Sequence, residues 1–280
     1  MPSKSIFRPL ISGAMLGLML AFPRHSALAA AQALAAFAQN VLPALFPFTA
    51  FMLLFTAGRS HNLLSLLFLA LLGGSPSGAR LFASADIDSL TARRIARCCG
   101  TMSPMFFLST LAVWLQNSRA AALILICHFM SAILLAIPLF FPHRRRRITL
   151  PPLSVSQIMQ QSASGMLTVA ACITLGAVGA AMAGCLFPHL PALPLALLQS
   201  LSEVTLGCKS LIAAQPPLLL PLICFFTAFS GFSILLQNAA FFSNHGISLK
   251  NLIVYGLFRG TISFLLCFLI FFCHPGSFAV

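Results

Sequence analysis

Glu203 is the only glutamate in this 280-residue chain, and it stands in Leu198-Gln-Ser-Leu-Ser-Glu-Val-Thr-Leu-Gly-Cys-Lys209, inside an otherwise apolar stretch. The other acids are Asp86 and Asp88. A carboxylate at membrane depth costs about 2.5–3.5 kcal/mol on insertion scales unless a polar cavity or a partner receives it. The default chemistry of such a group is substrate or ion binding; the competing reading is a helix-end glutamate reaching headgroups or water. Four segments set hydroxyls beside Gly or Pro: Ser75-Pro-Ser-Gly78, Thr101-Met-Ser-Pro104, Ser202-Glu-Val-Thr-Leu-Gly207 and Ser230-Gly-Phe-Ser233. Irregular backbone inside a bilayer is tolerated only when buried in protein or lining a cavity. Free N–H groups at a positive helix end favour an anion. Free carbonyls at opposite ends, with hydroxyls or Glu203, can hold Na+ or relay H+.

The candidate substrate- or ion-binding residues are therefore Ser75, Pro76, Ser77, Gly78, Ser103, Pro104, Glu203, Thr205, Gly207, Ser230, Gly231 and Ser233. Singly, each motif reads as close packing of small residues between helices; together, in symmetric positions, they read as a site. Arg80 and Lys209 each follow one of the segments, and either attract an anion or snorkel to headgroups. Gln237 and Asn238 follow the last segment, and an amide at that depth needs a partner, which favours cavity lining. His128, alone in an apolar run, reads as a satisfied packing histidine rather than a ligand.

The elements that must position these groups cross a membrane. Hydrophobic residues make up 59% of the chain and charged residues 7%, too few charges to cover a soluble surface of this size. The expected class is an all-α, polytopic protein of a bacterial inner membrane. With one Trp and one Tyr, aromatic belts cannot mark the span ends. The net charge of +13 sits largely in short runs between apolar spans, where it orients the protein and meets anionic lipid rather than nucleic acid. The nine cysteines form no Cys-x-x-Cys pair and have no histidine at zinc spacing, so neither a metal nor a disulfide framework is read from them. Metal ligands and a catalytic carboxylate pair are not expected, and no nucleophile elbow, zinc-protease helix or phosphate loop is present. The chain does not read as an enzyme.

Apolar runs over residues 6–22, 41–57, 98–115, 120–141, 163–187, 216–242 and 252–273 give seven crossings. Lys4 and Arg8 before the first run, and Ala27-Leu-Ala29 after it, resemble a signal peptide, but an uncleaved first span is expected. Residues 63–72 are too short to cross and end in Gly73-Gly-Ser-Pro-Ser-Gly78. Residues 86–97 read as an amphipathic surface helix. The positive-inside rule places Lys4, Arg8 and the Arg144–Arg147 block in the cytoplasm. Arg93, Arg94 and Arg97 join them only if 63–72 enters and returns as a re-entrant hairpin. The same logic makes 193–214 a hairpin entering from outside, with the N-terminus in and Val280 out.

Each half then reads span, hairpin, broken span, span, in opposite orientations. Pro76 precedes Pro104 by 28 residues, and Glu203 precedes Gly231 by 28. Inverted repeats whose broken helices meet at the midplane mark secondary transporters. The expected divisions are an N-terminal helix and turn over 1–30, a first repeat over 31–143, a basic cytoplasmic linker over 144–162 and a second repeat over 163–280.

Gly74-Ser-Pro-Ser-Gly-Ala-Arg-Leu81, Ala92-Arg-Arg-Ile-Ala-Arg97 and Thr101-Met-Ser-Pro-Met-Phe106 resemble the first half of YlbJ/SpoVV-like sporulation integral membrane proteins. Leu201-Ser-Glu-Val-Thr-Leu-Gly-Cys-Lys209 and Phe229-Ser-Gly-Phe-Ser-Ile-Leu-Leu-Gln237 resemble the second half. The resemblance covers roughly residues 42–268. It implies the nucleoside-recognition gate repeat, similarity to concentrative nucleoside transporters and, for one branch, movement of dipicolinate during sporulation. The chain departs from the pattern at Gly74-Ser75-Pro76 (Gly-Tyr-Pro is usual), at Thr101-Met102-Ser103 (Asn-Thr-Ser) and at Ser230-Gly231-Phe232-Ser233 (Gly-Gly-Leu-Ser). These changes fall in the candidate site, so the solute does not carry over. The expectation is alternating-access transport of a small polar or anionic solute, nucleoside-like or a small carboxylate, with Na+ or H+ as coupling ion and no other cofactor. Expected partners are the solute and membrane lipid, with a homo-oligomer open. The alternative is a non-transporting membrane scaffold that recruits partners through its basic surface.

Overall fold

The computed structural model describes residues 7–83, 85–140 and 147–273. The expectations for Lys4, the Arg8 side chain, Arg144–Arg146 and Val280 lie outside these described residues. The chain is helical almost throughout. Helix α1 (Phe7–Ala21) leads to a long rod of α2 (Pro23–Ala36), a π turn (Phe37–Val41) and α3 (Leu42–Thr56). The wide turn immediately precedes Pro43, where a missing N–H and a ring clash loosen the helix. The 30/31 division drawn from sequence therefore falls inside α2.

Strand β1 (Ser60–Asn62) follows and pairs antiparallel with β2 (Arg147–Thr149), Ser60 opposite Thr149 and Asn62 opposite Arg147. Leu150 N–H to Arg59 O and Gly58 N–H to Pro151 O, both 3.1 Å, lengthen this clasp. Asn62 caps α4 (Leu63–Gly73) by accepting from the Leu64 N–H. After Gly74–Pro76 comes α5 (Ser77–Ala83), which packs on α4. Asp88 caps α6 (Ser89–Cys98), accepting from the Thr91 N–H at 2.8 Å and the Thr91 hydroxyl at 2.9 Å.

Helix α6 has the amphipathic character expected over 86–97, with Ser89, Leu90 and Arg93 exposed, but its apolar face is covered by protein. Its Ala92, Ile95 and Ala96 are buried, and it packs against α8 (Ser118–Phe140). The irregular residues 99–103 separate it from a π-wound segment (Phe106–Leu111) that runs into α7 (Ala112–Leu115). The crossing expected over 98–115 is thus the second half of a broken pair whose first half is α6. The alternation of arginines with small apolar residues looks like a surface helix in sequence, yet its apolar face has a partner inside the protein.

The second half opens with α9 (Val155–Leu186), fixed by a capping box in which Ser154 and Gln157 exchange side chain-to-backbone bonds. The helix begins inside the segment 144–162 that reads as linker. Then come α10 (Ala192–Ser202), α11 (Val204–Ala214), α12 (Leu219–Phe229), α13 (Gly231–Phe242) and α14 (Leu249–Cys273). Element lengths repeat: a long rod, two broken pairs and a long helix, twice over. At 1.5 Å per residue, the 10–12-residue pieces α4, α6 and α10–α13 are each roughly 15–18 Å long, about half of a ~30 Å hydrocarbon core.

The contacts follow the repeat. With α6 matched to α12 and α8 to α14, α12 packs on α8 just as α6 packs on α14. Likewise α13 packs on α5 and α7 on α11. Among the described residues, five helical stretches are long and apolar enough to span a membrane: Pro23–Thr56, Ser118–Leu139, Val155–Leu186, Leu219–His245 and Leu249–Cys273. Their outward faces carry bare apolar side chains such as Phe51, Leu167 and Phe272. This is a multi-pass membrane protein. Two large apolar cores hold it together, one around Leu66, Phe82, Ile95 and Phe242, the other around Phe107, Ile124, Leu211 and Ile223, and a smaller one around Phe37 and Met166 joins the first rod to α9. The two large cores meet at the α12–α13 junction, where Phe229 and Leu235 belong to the first and Phe226 and Ile234 to the second.

Candidate functional site

The four interruptions form one chain of contacts. Ser75 N–H donates to Thr101 O at 2.6 Å, joining the α4–α5 turn to the α6–α7 break. Ser230 Oγ donates to Gly100 O at 2.6 Å, joining that break to the α12–α13 junction. There Gly231 comes so close to α11 that a Cβ would lie 3.2 Å from Val204 N, next to Glu203. Ser75 Oγ also donates to Asn238 Oδ1 at 3.0 Å, tying the first turn directly to α13. Glycine is required here by backbone conformation as well as by space. Gly100 has φ +103°, and a Cβ would sit 2.7 Å from Asn238 Nδ2 and 3.2 Å from the Arg259 guanidinium.

Glu203 separates α10 from α11 and is buried, 5% exposed. Its carboxylate accepts from the Leu206 N–H at 2.6 Å and from the Thr205 hydroxyl. It is the N-cap of α11, so its charge faces the positive end of a half-helix. Gly176 of α9 lets the region close up, since a Cβ there would lie 2.8 Å from Ser233 Cβ and 3.3 Å from Glu203 Cβ.

The group that sequence reading missed is Arg259. It lies in the middle of α14, 2% exposed, among the breaks. Nε donates to Ala228 O at 3.0 Å, Nη1 to Cys99 O at 2.6 Å and Arg97 O at 3.3 Å, and Nη2 to Ser230 Oγ at 3.2 Å and Gly100 O at 3.5 Å. These acceptors are the C-terminal carbonyls of α6 and α12 and the hydroxyl between α12 and α13. One guanidinium therefore ties off two half-helix ends of negative partial charge, while Glu203 ties off a positive one. Of the half-helix ends where free carbonyls for Na+ were expected, those of α6 and α12 are engaged by Arg259. Gly256 and Gly260 flank the arginine and press against Phe229 O and Phe225 O, so small residues bring α14 close enough for the fork to reach. The signal was available: a lone arginine in an apolar 25-residue helix, which marks a functional hypothesis as surely as a lone glutamate does.

His128 occupies the matching place in the first half. It is ten residues beyond the start of α8, as Arg259 is ten beyond the start of α14. Its Nε2 accepts from Met102 N–H at 3.1 Å, so Nδ1 carries the ring proton. The histidine is buried and hydrogen-bonded, as expected of a satisfied packing residue, and its partner is the broken backbone.

Several buried polar atoms at or near the breaks have no partner among the described residues: Thr101 Oγ1, His128 Nδ1, Ser233 Oγ and Arg80 Nη1. The N-terminus of α13 has no side-chain cap, and Ser233, one turn in, is fully buried. Arg80 runs from α5 towards α9, its guanidinium 5.6 Å from the Phe241 ring centroid, where a Cβ on Gly165 would overlap Nη1. Ser77 is spent on Thr49, hydroxyl to hydroxyl at 2.8 Å. Gly78 and Gly207 serve close helix crossings, against Ala70 and Ser200 respectively. Pro76 and Gln237 are buried, and Ser103 and Pro104 are half-buried in the first break. Lys209 is exposed, with Nζ 4.7 Å from the Trp114 ring centroid. It stands outside this cluster.

Compared with protein-family models, curated proteins and solved structures, the chain matches none.

Proposed function

We propose that this protein is a secondary transporter, not an enzyme, that moves a small polar or anionic solute across the membrane by alternating access. The observation that carries this reading is the convergence of four helix interruptions on one buried polar cluster, with hydroxyls left unpartnered inside it. Broken half-helices facing one another are the usual means of holding a solute at the midplane. The uncapped N-terminus of α13, the Ser233 hydroxyl and the adjacent Arg259 cation suit a carboxylate or another electron-rich group. Glu203 is the group that would exchange H+ or Na+. In this reading the pairs α4–α5 and α10–α11 are re-entrant hairpins, the repeats are inverted, and two further short pieces complete seven crossings. The resemblance to YlbJ/SpoVV-like proteins supports a nucleoside-like solute or a small carboxylate such as dipicolinate. Sporulation and the bacterial inner membrane belong to that same resemblance.

The test is flux in vesicles reconstituted with purified protein, using labelled small carboxylates and nucleosides under Na+ or pH gradients. Glu203→Gln should keep the fold, because a glutamine oxygen still accepts from Leu206 N–H, and should abolish or uncouple transport. Flux in the variant at the normal rate, with normal pH and Na+ dependence, makes Glu203 a helix cap and nothing more. No flux of any tested solute in the intact protein, while a thermal-shift screen finds no stabilising solute, removes the transport reading itself.

A further inference from the structure

Three cysteines with no motif in the sequence meet in space. Cys127 of α8, Cys224 of α12 and Cys267 of α14 are buried, and their Sγ atoms all lie within 4.8 Å of one another. The three helices pack pairwise, so each side of the triangle is held by a helix–helix interface. The surroundings are apolar, with Leu123, Ile124, Leu220 and Ile223 in the same core. We propose that this thiol triangle binds a soft, monovalent d10 cation, Cu(I) or its analogue Ag(I).

Ligand type comes first. Sulfur donors select soft ions over Mg2+, Ca2+ or Na+. Metal–thiolate bonds of about 2.3 Å arranged trigonally put the sulfurs roughly 4 Å apart, inside the separation already present. Coordination number comes next. Structural zinc takes four ligands, and no histidine, carboxylate or fourth cysteine belongs to this group among the described residues. A three-coordinate ion fits the triangle as built. Charge decides between the remaining ions. The site lies in an apolar interior that penalises net charge. A monovalent ion entering three thiols needs to displace one proton: Cu+ plus three S–H gives one thiolate and two thiols on copper and one H+ released. No electron is transferred, and the centre stays neutral. A divalent ion must expel two protons from the same dry place. The competing description is three cysteines acting as small hydrophobes. It accounts for their burial but not for three sulfurs from three helices converging on one point.

On α8 the triangle's Cys127 directly precedes His128, but on α14 the triangle and the polar cluster stand apart. Cys267 lies eight residues beyond Arg259 on α14, roughly 12 Å along the axis, so the metal reading does not depend on transport. The experiment titrates reduced, full-length protein in detergent with Cu(I), using bicinchoninate as competitor under argon. The protein should retain about one Cu(I) per chain and gain a thiolate-to-copper band in the ultraviolet. Cys224→Ala and Cys267→Ala should each lose the ion, whereas Cys172→Ala and the Cys98→Ala/Cys99→Ala pair should keep it. X-ray absorption on the loaded native protein needs no variant and should give a sulfur-only shell of about three atoms. The proposal fails if native protein holds no copper against the competitor, if the Cys98/Cys99 pair proves to be the ligand, or if the shell contains nitrogen or oxygen. Displacement of bound Cu(I) by equimolar Zn(II) overturns the choice of ion.

Discussion

Arg259 donates to five acceptors, none of them charged. A buried cation without a carboxylate is expensive unless backbone dipoles replace its water, and here the ends of two half-helices do so. The dependence is mutual, because those carbonyls would otherwise be buried with too few donors. Arg259→Met should therefore lower the unfolding free energy by on the order of 3 kcal/mol, read as a fall in melting temperature in detergent. Arg259→Lys keeps the charge but has a point of three donors instead of a planar fork, so it should recover only part of the loss. A lysine variant as stable as the native chain would show that charge, not fork geometry, holds the crossing.

At the scale of elements, each half-helix ends where a residue allows the backbone to turn. Ser230 sits at φ +81° and Gly231 at φ +60°, so two successive residues are left-handed between α12 and α13. Gly100 does the corresponding work in the first half. Gly100→Ala adds a left-handed penalty of about 1–2 kcal/mol and drives a methyl into Asn238 and Arg259. It should destabilise by more than that penalty alone, whereas Gly13→Ala, in open space, should be neutral; paired melting curves decide. The interruptions were legible in sequence because Gly and Pro beside hydroxyls announce them locally. What α6 packs against was not, because an alternating Arg–Ala face is the same whether its partner is lipid headgroup or a helix further along the chain. Glu203 was legible as a charge that needed a partner, but not as a helix cap, since capping depends on where α11 begins. Arg259 was passed over because four of its five acceptors are carbonyls, which every residue carries. Cys127, Cys224 and Cys267 were invisible for a related reason: their relation is three-dimensional, across helices remote in the chain.

Across the whole molecule, several contacts join segments distant in the chain. Arg94 donates to Pro138 O at 3.3 Å, His245 Nε2 lies 3.0 Å from Phe82 O, and β1 pairs with β2. Arg59 and Arg147 lie at the β1–β2 clasp and Arg94 reaches the last turn of α8; in the proposed topology the positive-inside rule puts these arginines in the cytoplasm. Cysteine placed at Arg93 or Arg147, in a chain carrying Cys273→Ala, should react with an impermeant maleimide from one face of sealed vesicles, and cysteine at Gln215 from the other. Labelling of positions 93 and 147 from opposite faces would undo this arrangement and the inverted repeat with it. The pairing of β1 with β2 has one more consequence. Residue 62 enters, and residue 147 leaves, at adjacent points of a single ribbon, so α4 through α8 hang from the rest of the chain like a loop drawn closed at its neck. The lead into these helices and the lead out are thus pinned side by side at the neck, while the helices between them are held by α12, α13 and α14.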